Sequence, residues 1–184
     1  MKWLFLFLLL LPASAVASGN TSAGKPAPQI LPFAPAKPPP PLPTTIGSGS
    51  AVEGDLVSVN GSAVKLWGVD APDAGQMCQT KANQTYDCFT IAKDRLSSYI
   101  GQSQVTCYIR GKDSHGQSIG TCAVNGLDLA ALMVRDGWAL AYTSITPQYA
   151  DLEGEAQARE RGIWAGRVEA PWRYRSRMAA LRNK

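Results

Sequence analysis

The stretch VEGDLVSVNGSAVKLWGVDAPD, residues 52–73, decides how this chain begins to fold. Apolar residues alternate with polar ones on both sides of Asn60-Gly61, a dipeptide typical of two-residue hairpin turns. The pattern therefore predicts a β-hairpin over residues 56–69. The same stretch carries one lysine and three aspartates, and such a cluster fits either a metal or phosphate site or a solvated polar turn. These side chains are Asp55, Lys65, Asp70 and Asp73.

Downstream of the hairpin, the periodicity predicts three helices and a second pair of strands. Apolar residues recur at helical spacing in 89–101, and residues 103–124 form two alternating runs around a polar turn. Helices are predicted over 128–137 and over 146–162, the latter with Thr146 as N-cap and Pro147 in the first position. This order predicts an α+β fold, a small β-barrel with attached helices.

The segments before the hairpin have a different composition. Residues 1–17 combine Lys2, an apolar run and small residues, as a cleaved signal peptide does, although an uncleaved anchor is the alternative. Residues 18–46 contain nine of the thirteen prolines and are predicted to be a disordered linker, a passive tether or a ligand for a proline-reading partner. We therefore expect a secreted or periplasmic protein, without stable membrane insertion after cleavage.

Four cysteines follow the predicted signal peptide, and an even number in that context indicates disulfides. If the turn of the second strand pair is centred between residues 114 and 115, Cys107 faces Cys122 directly across the hairpin. Cys78 then pairs with Cys88. The other two connectivities remain open at this point.

Charge is distributed unevenly along the chain. Residues 46–158 hold seven Lys and Arg against twelve Asp and Glu, a net charge of −5. Residues 159–184 hold eight basic residues against two acidic ones, a net charge of +6. The basic end favours an anionic partner without specifying its chemistry.

Taken in order, these motifs resemble the staphylococcal nuclease (thermonuclease) family. The similarity rests on the opening stretch, on DSHGQSIGTCAVNGLDLAALMVRDGWALAY (residues 113–142) and on YADLEGEAQARERGIWAG (residues 149–166). The resemblance implies a five-stranded OB-type barrel with three α-helices, here over residues 47–173, followed by a basic tail at 174–184. OB-folds bind oligonucleotides or oligosaccharides.

The resemblance also implies a site that hydrolyses nucleic-acid phosphodiesters with one calcium ion. Its metal ligands correspond to the carboxylates of Asp55 and Asp70 and the carbonyl of Ala71. Oxygen ligands of this kind suit Ca²⁺. The resemblance therefore leaves a calcium site open, with weak or absent binding.

The remaining site positions depart from the family pattern. Lys65 and Gln117 stand where the family has two arginines, and Asp73 stands where it has a glutamate base. Lysine lacks the bidentate fork of a guanidinium, and an arginine that stabilises a phosphoryl transition state contributes about 10³–10⁵ in rate. These degenerate catalytic positions indicate a pseudoenzyme, although Arg110 or Lys112 on the second hairpin offers partial compensation.

Aromatic and basic residues alternate in the segment PWRYRSR, residues 171–177. Trp172, Arg173, Tyr174 and Arg175 fit a stacking platform for single-stranded nucleic acid. The alternative is a chain segment whose aromatic rings pack on the barrel while the arginines stay solvated.

We therefore expect a secreted, monomeric domain with a degraded nuclease site that binds an anionic polymer, either single-stranded nucleic acid or an acidic polysaccharide. An active calcium-dependent endonuclease with an atypical site is the first alternative. A protein-interaction module on a proline-rich tether is the second.

Overall fold

Six strands precede the first helix in the part of the chain that the computed structural model describes, residues 41–183, and strands and helices are interspersed after it. The strands are β1 (Thr44–Glu53), β2 (Leu56–Val59), β3 (Ser62–Leu66), β4 (Val69–Asp70), β5 (Met77–Thr80), β6 (Thr85–Asp87), β7 (Gln104–Lys112), β8 (Ser118–Val124), β9 (Leu127–Asp128), β10 (Leu140–Ala141) and β11 (Gly166–Arg167). The α-helices are α1 (Cys88–Ile100), α2 (Leu129–Arg135), α3 (Ala150–Ala158) and α4 (Pro171–Arg182). A 3₁₀ turn covers Gly162–Ala165.

Five of these strands close into a barrel. They lie in the order β3-β2-β1-β7-β8, and β3 also pairs in parallel with β8, which joins the two ends of the sheet. A closed barrel leaves no unpaired sheet edge. The predicted five-stranded OB-type barrel is confirmed.

The first hairpin forms where the sequence predicts it. Val59 pairs with Ser62, and Asn60 and Gly61 make the turn with φ values of 50° and 82°. Both positive angles belong to the turn type that matches the twist of the strands. Asn60 also donates through its side chain to the carbonyl of Ile46 at 3.0 Å, which ties the turn to β1.

Both disulfides have the predicted partners. Cys107 lies directly opposite Cys122 in the antiparallel β7–β8 pair, with their Cα atoms 4.0 Å apart. Cys78 is bonded to Cys88, which joins β5 to the first residue of α1. The predicted register is therefore confirmed from Val105 to Ile109, and an irregularity between Ile109 and Gly111 shifts it by one residue closer to the turn.

The apolar residues of the barrel point into one core that helices α1 and α2 cover. Val57, Leu66 and Val105 of the strands lie in this core. Leu96 of α1 and Met133 of α2 belong to the same buried cluster. A smaller cluster around the Cys78–Cys88 disulfide packs Leu140 and Ile163 against tryptophan rings. This second cluster supports the segment that leads into α4.

Helices α1 and α2 form as predicted, with Asp87 and Asp128 as their N-caps. The prediction for α3 was wrong at its start, because the helix begins at Ala150 and Thr146 does not cap it. Tyr149 is buried, and its hydroxyl donates to Asp128 at 2.8 Å. This contact holds Tyr149 outside the helix, so the preceding residues form a turn.

The boundaries of the folded part differ from the predicted ones. β1 begins at Thr44, inside the predicted linker, because Thr44–Ile46 pair with β7 residues 106–108. Residues 171–182 form α4, a fourth helix beyond the three predicted, which begins inside the predicted domain at Pro171 and takes up most of the predicted basic tail. The predicted signal peptide and linker residues 18–40 lie outside the described residues. Among residues 41–183, no helix has the length and apolar character needed to cross a bilayer.

Candidate functional site

The turn between β1 and β2 places Asp55 beneath the loop that follows β4. Asp55 is 2% exposed, and its Oδ2 accepts a hydrogen bond from the backbone N–H of Ala71 at 3.2 Å. Gly54 makes this approach possible, since a Cβ there would lie 2.7 Å from the Cβ of Ala71. The two segments that supply the predicted metal ligands are therefore in contact.

Lys65 on β3 forms an ion pair with Asp55. The distance from its Nζ to Oδ2 of Asp55 is 3.3 Å. Burial raises the pKa of Asp55 to about 6, against the opposing charge of Lys65. Burial opposes the charge on Lys65, but the carboxylates of Asp55 and Asp70 outweigh it and raise the pKa of the lysine. The lysine therefore stays a cation between two carboxylates.

Arg175 of α4 reaches the two remaining carboxylates. Its Nη1 and Nη2 atoms donate to Oδ1 and Oδ2 of Asp70 at 3.0 and 2.6 Å, a bidentate pair. Nη1 also lies 3.1 and 2.9 Å from the two carboxylate oxygens of Asp73. The hydrogen bonds to Asp70, helped by the charges of both aspartates, outweigh burial and raise the pKa of Arg175. Burial raises the pKa of Asp73 against the lowering effect of Arg175.

Two further contacts fix α4 against the site. Gln76 is buried; its Nε2 donates to the carbonyl of Glu169 at 2.6 Å, and its Oε1 accepts from the N–H of Asp73 at 3.1 Å. The ring of Trp172 stacks on Tyr142 with centroids 5.5 Å apart. These contacts, one just before α4 and one in its first turn, therefore hold the start of the helix that carries Arg175.

An open cleft of about 580 Å³ brings five of the predicted site residues together. Lys65, Asp70, Asp73, Gln117 and Arg175 all line it. The backbone N–H groups of Gln117 and His115 both donate to Asp113 Oδ1, at 2.9 and 2.8 Å, which shapes the hairpin turn at the mouth of the cleft. Sequence reasoning missed the lining residues Trp67, Asp113, His115, Tyr142 and Ile145.

Other predicted ligand-binding residues lie outside this lining. Arg110 donates to Thr121 at 2.8 Å, and its guanidinium stands over the Trp67 ring at 5.5 Å. Lys112 is exposed at the end of β7. The ring of Tyr174 lies under the guanidinium of Arg177, with 5.3 Å between them. Within the aromatic and basic segment 171–177, Arg175 lines the cleft. Trp172 does not line it but stacks on Tyr142, which does.

Comparison with known proteins identifies the family of this fold and site. Residues 63–166, more than half of the chain, match the family model described as "Staphylococcal nuclease homologue". The chain belongs to the staphylococcal nuclease homologue family. The match covers β3 to β11 and ends before α4, so the helix that carries Arg175 lies beyond it.

Three relatives illustrate the range of this family. The "Succinoglycan biosynthesis protein ExoI" of Rhizobium meliloti (strain 1021) is 30% identical over 67% of this chain and 66% of its own length. The "Probable staphylococcal-like nuclease CAN2" of Oryza sativa subsp. japonica is 30% identical over 61% of this chain and 28% of its own. The "Probable endonuclease lcl3" of Botryotinia fuckeliana (strain B05.10) is 28% identical over 63% and 48%.

These matches support a nuclease or nucleic-acid-related function for this staphylococcal nuclease homologue. The chain spans less than two thirds of the length of each of the three relatives. What each relative does as a whole protein therefore comes to this chain only as a proposal.

The calcium ion implied by the family does not fit the site as folded. Ca²⁺ takes about six to eight oxygen ligands, mainly from carboxylates, carbonyls and water. Here Asp55 faces the ammonium of Lys65, and both carboxylate oxygens of Asp70 accept hydrogen bonds from Arg175. Residues 41–183 contain no group of three or more His, Cys, Asp or Glu side chains arranged for a metal. Cationic side chains of the protein take up both oxygens of Asp70 and of Asp73 and one oxygen of Asp55.

Proposed function

We propose that this protein is a staphylococcal nuclease homologue that binds single-stranded nucleic acid and hydrolyses it weakly or not at all. The polymer would occupy the cleft and continue along α4. We further propose that the protein works as a monomer outside the cytoplasm. Its two disulfides support that location, because such bonds persist in oxidising compartments.

The pairing of Asp55, Asp70 and Asp73 with basic side chains carries this proposal. Asp55 pairs with Lys65, while Asp70 and Asp73 share Arg175. A carboxylate that acts as base on water must have an oxygen free to accept the proton. Asp73, at the position of the family base, instead accepts from Arg175 with both of its oxygens.

The positions that would clamp the phosphate support the same conclusion. Lys65 presents a single point charge, and Gln117 carries none. The two residues lie close to each other, because Lys65 on β3 pairs with Ile119 on β8 and Gln117 lies just before β8. A phosphate bound there would meet one cation where the resemblance implies two guanidinium groups, so its transition state would be poorly stabilised.

Binding itself has favourable features. Trp67 and Tyr142 line the cleft; Arg110 covers one face of Trp67 and Trp172 one face of Tyr142, so a base would stack on the opposite face, and such stacking is tolerant of sequence. α4 contains four arginines and no acidic residue. Of these, Arg173 and Arg182 are exposed and have no carboxylate within salt-bridge distance among residues 41–183. These arginines extend a positive surface away from the cleft.

An acidic polysaccharide is the second candidate ligand. The observation that favours it is the name of the Rhizobium relative, which refers to succinoglycan biosynthesis. OB-type barrels bind oligosaccharides as well as oligonucleotides. We favour nucleic acid because stacking on Trp67 and Tyr142 suits flat bases.

The test is a binding and cleavage assay on the purified protein. Fluorescent single-stranded DNA and RNA, and an acidic polysaccharide as competitor, are incubated with calcium and then with a chelator. We expect binding with little or no cleavage. Calcium-dependent cleavage that disappears in Asp55→Asn would establish the active endonuclease instead, and displacement by polysaccharide alone would favour the second candidate.

A gain-of-function variant probes the cause of the weak hydrolysis. The triple change Lys65→Arg, Asp73→Glu and Gln117→Arg restores the residues that the resemblance implies. Combined with Arg175→Gln, which frees both oxygens of Asp70 for an ion, it should raise calcium-dependent cleavage above that of the unchanged protein; the triple change alone should not, because Arg175 still occupies Asp70. In the binding assay on the unchanged protein, failure to bind either nucleic acid or polysaccharide would favour the tethered protein-interaction module.

A further inference from the structure

We propose that Arg175 is a built-in cation that takes the place of a metal ion at this site. The proposal assigns to Asp70 and Asp73 a divalent-cation site that becomes available only when the arginine is removed. It concerns the metal alone and does not require the proposed function to hold.

The first support is the geometry of the guanidinium between the two carboxylates. Asp70 is 2% exposed, and each of its oxygens accepts one hydrogen bond from Arg175. The same Nη1 atom bridges to Asp73, so one side chain balances two carboxylates. A buried carboxylate of this kind requires a cationic partner or protonation. Arg175 meets that requirement in a cleft where the resemblance implies an ion.

The second support is that Arg175 is held in place and is not a freely moving surface side chain. Gln76 joins the loop at Asp73 to the carbonyl of Glu169, just before α4 begins. Trp172 stacks on Tyr142 one turn before Arg175. These contacts position the guanidinium before any ligand arrives, which reduces the entropic cost of using it.

The third support is the hydrogen-bonding capacity that Arg175 retains. A guanidinium has five N–H donors. Among residues 41–183, Nη2 donates to Asp70 alone and Nε donates to no acceptor. The side chain is 44% exposed and lines the cleft. A phosphate group can therefore approach Arg175 while the arginine remains paired, as it would approach a metal ion held by carboxylates.

Lys65 is the second basic side chain that takes the place of the ion. Its ammonium pairs with Asp55, the other carboxylate that the resemblance assigns to the metal. With Lys65 in place, a divalent ion in the Arg175→Gln variant would rest mainly on Asp70 and Asp73. This restricts the predicted new site to two carboxylates plus water, which suits a weakly bound hard cation such as Ca²⁺.

Calorimetric titration of calcium chloride into the purified protein, without nucleic acid, tests the proposal. Because the arginine must be displaced before the ion binds, we expect Arg175→Gln to bind Ca²⁺ at least about tenfold more tightly than the unchanged protein. Adding Asp70→Asn to that variant should abolish the gain. Equal calcium affinity in the unchanged protein and in Arg175→Gln, including no binding by either, would overturn the proposal.

Arg177→Gln is the matched control, because Arg177 lies on the same helix but pairs with Glu169 and does not line the cleft. It should bind calcium as the unchanged protein does. A similar gain in this control would show that lost positive charge alone explains the effect. Circular dichroism and thermal melts with and without calcium establish that each variant is folded.

Arg175→Lys keeps the test decisive if Arg175→Gln unfolds. Its ammonium retains the charge but cannot make the bidentate fork to Asp70. Calcium should then bind more tightly than to the unchanged protein. No gain in this folded variant would also overturn the proposal, whether or not nucleic acid binds.

Discussion

The salt dependence of nucleic-acid binding follows from which basic side chains are free to meet phosphates. Lys65 and Arg175 line the cleft, and Arg173 and Arg182 extend along α4 without carboxylate partners among the described residues. Arg177 is excluded, because each of its three nitrogens already donates, Nε and Nη2 to Glu169 and Nη1 to Met178, whereas Lys65 and Arg175 keep N–H donors beyond those paired with carboxylates. The structure thus offers about four phosphate contacts.

The magnitude follows from counterion release. Each neutralised phosphate of a single strand contributes about −0.7 to the slope of log affinity against log salt, so four contacts give a slope of about −3. Affinity should then fall by roughly 50-fold between about 50 and 200 mM salt. The double change Arg173→Gln and Arg182→Gln removes two contacts, so its slope should be about −1.4, with a fall of only about sevenfold.

Fluorescence anisotropy with a labelled single strand at four or five salt concentrations measures both slopes. Arg177→Gln is the control and should keep the slope of the unchanged protein. An unchanged slope in the double variant would refute the path along α4. Binding that does not weaken with salt would refute a phosphate-directed mode altogether.

Three further predictions concern the framework of the site. Gln76→Ala should lower the free energy of unfolding by about 1–3 kcal/mol, since it leaves two half-buried backbone groups, the N–H of Asp73 and the carbonyl of Glu169, without their partner; urea titration measures it, and no loss would show that this contact does not hold α4. Replacing Cys107 and Cys122 together by alanine should cost about 3 kcal/mol, the value for a loop of this size; denaturation under non-reducing conditions checks it against the unchanged protein, and an unchanged midpoint would contradict it. Hydrogen bonds from Arg135 hold the pKa of Asp136 below its usual range, so its contribution to stability is present above about pH 4 and is lost as pH falls further. Asp136→Asn should therefore flatten the stability curve below pH 4, and an unaltered curve from melts at stepped pH would count against this pairing.

Local patterns made much of the barrel predictable. The Asn60-Gly61 turn fixed one register, and the alignment of Cys107 with Cys122 followed from the centre of a single polar turn. Both inferences concern residues that are close in sequence, where alternation and turn chemistry determine the pairing.

Contacts over long sequence separations could not be predicted in this way. Arg175 and Asp70 are 105 residues apart, and no periodicity in either segment indicates that they meet. The alternating aromatic and basic residues after Pro171 also conceal a helix, because packing of Trp172 on Tyr142 decides its conformation. Likewise, the burial of Tyr149 delays the start of α3 beyond the Thr146-Pro147 signal. Tertiary contacts overrode local preference in each case.

The position of α4 beyond the family match has a practical consequence for recombinant fragments. A fragment that stops at residue 166 would keep the barrel strands and the three carboxylates but would lose Arg175. Asp70 and Asp73 would then be left without their arginine partner, and the Tyr142 ring would become uncovered. Calcium affinity or cleavage measured on such a fragment would describe a differently charged cleft, so the ligand preference of this protein has to be measured with α4 present.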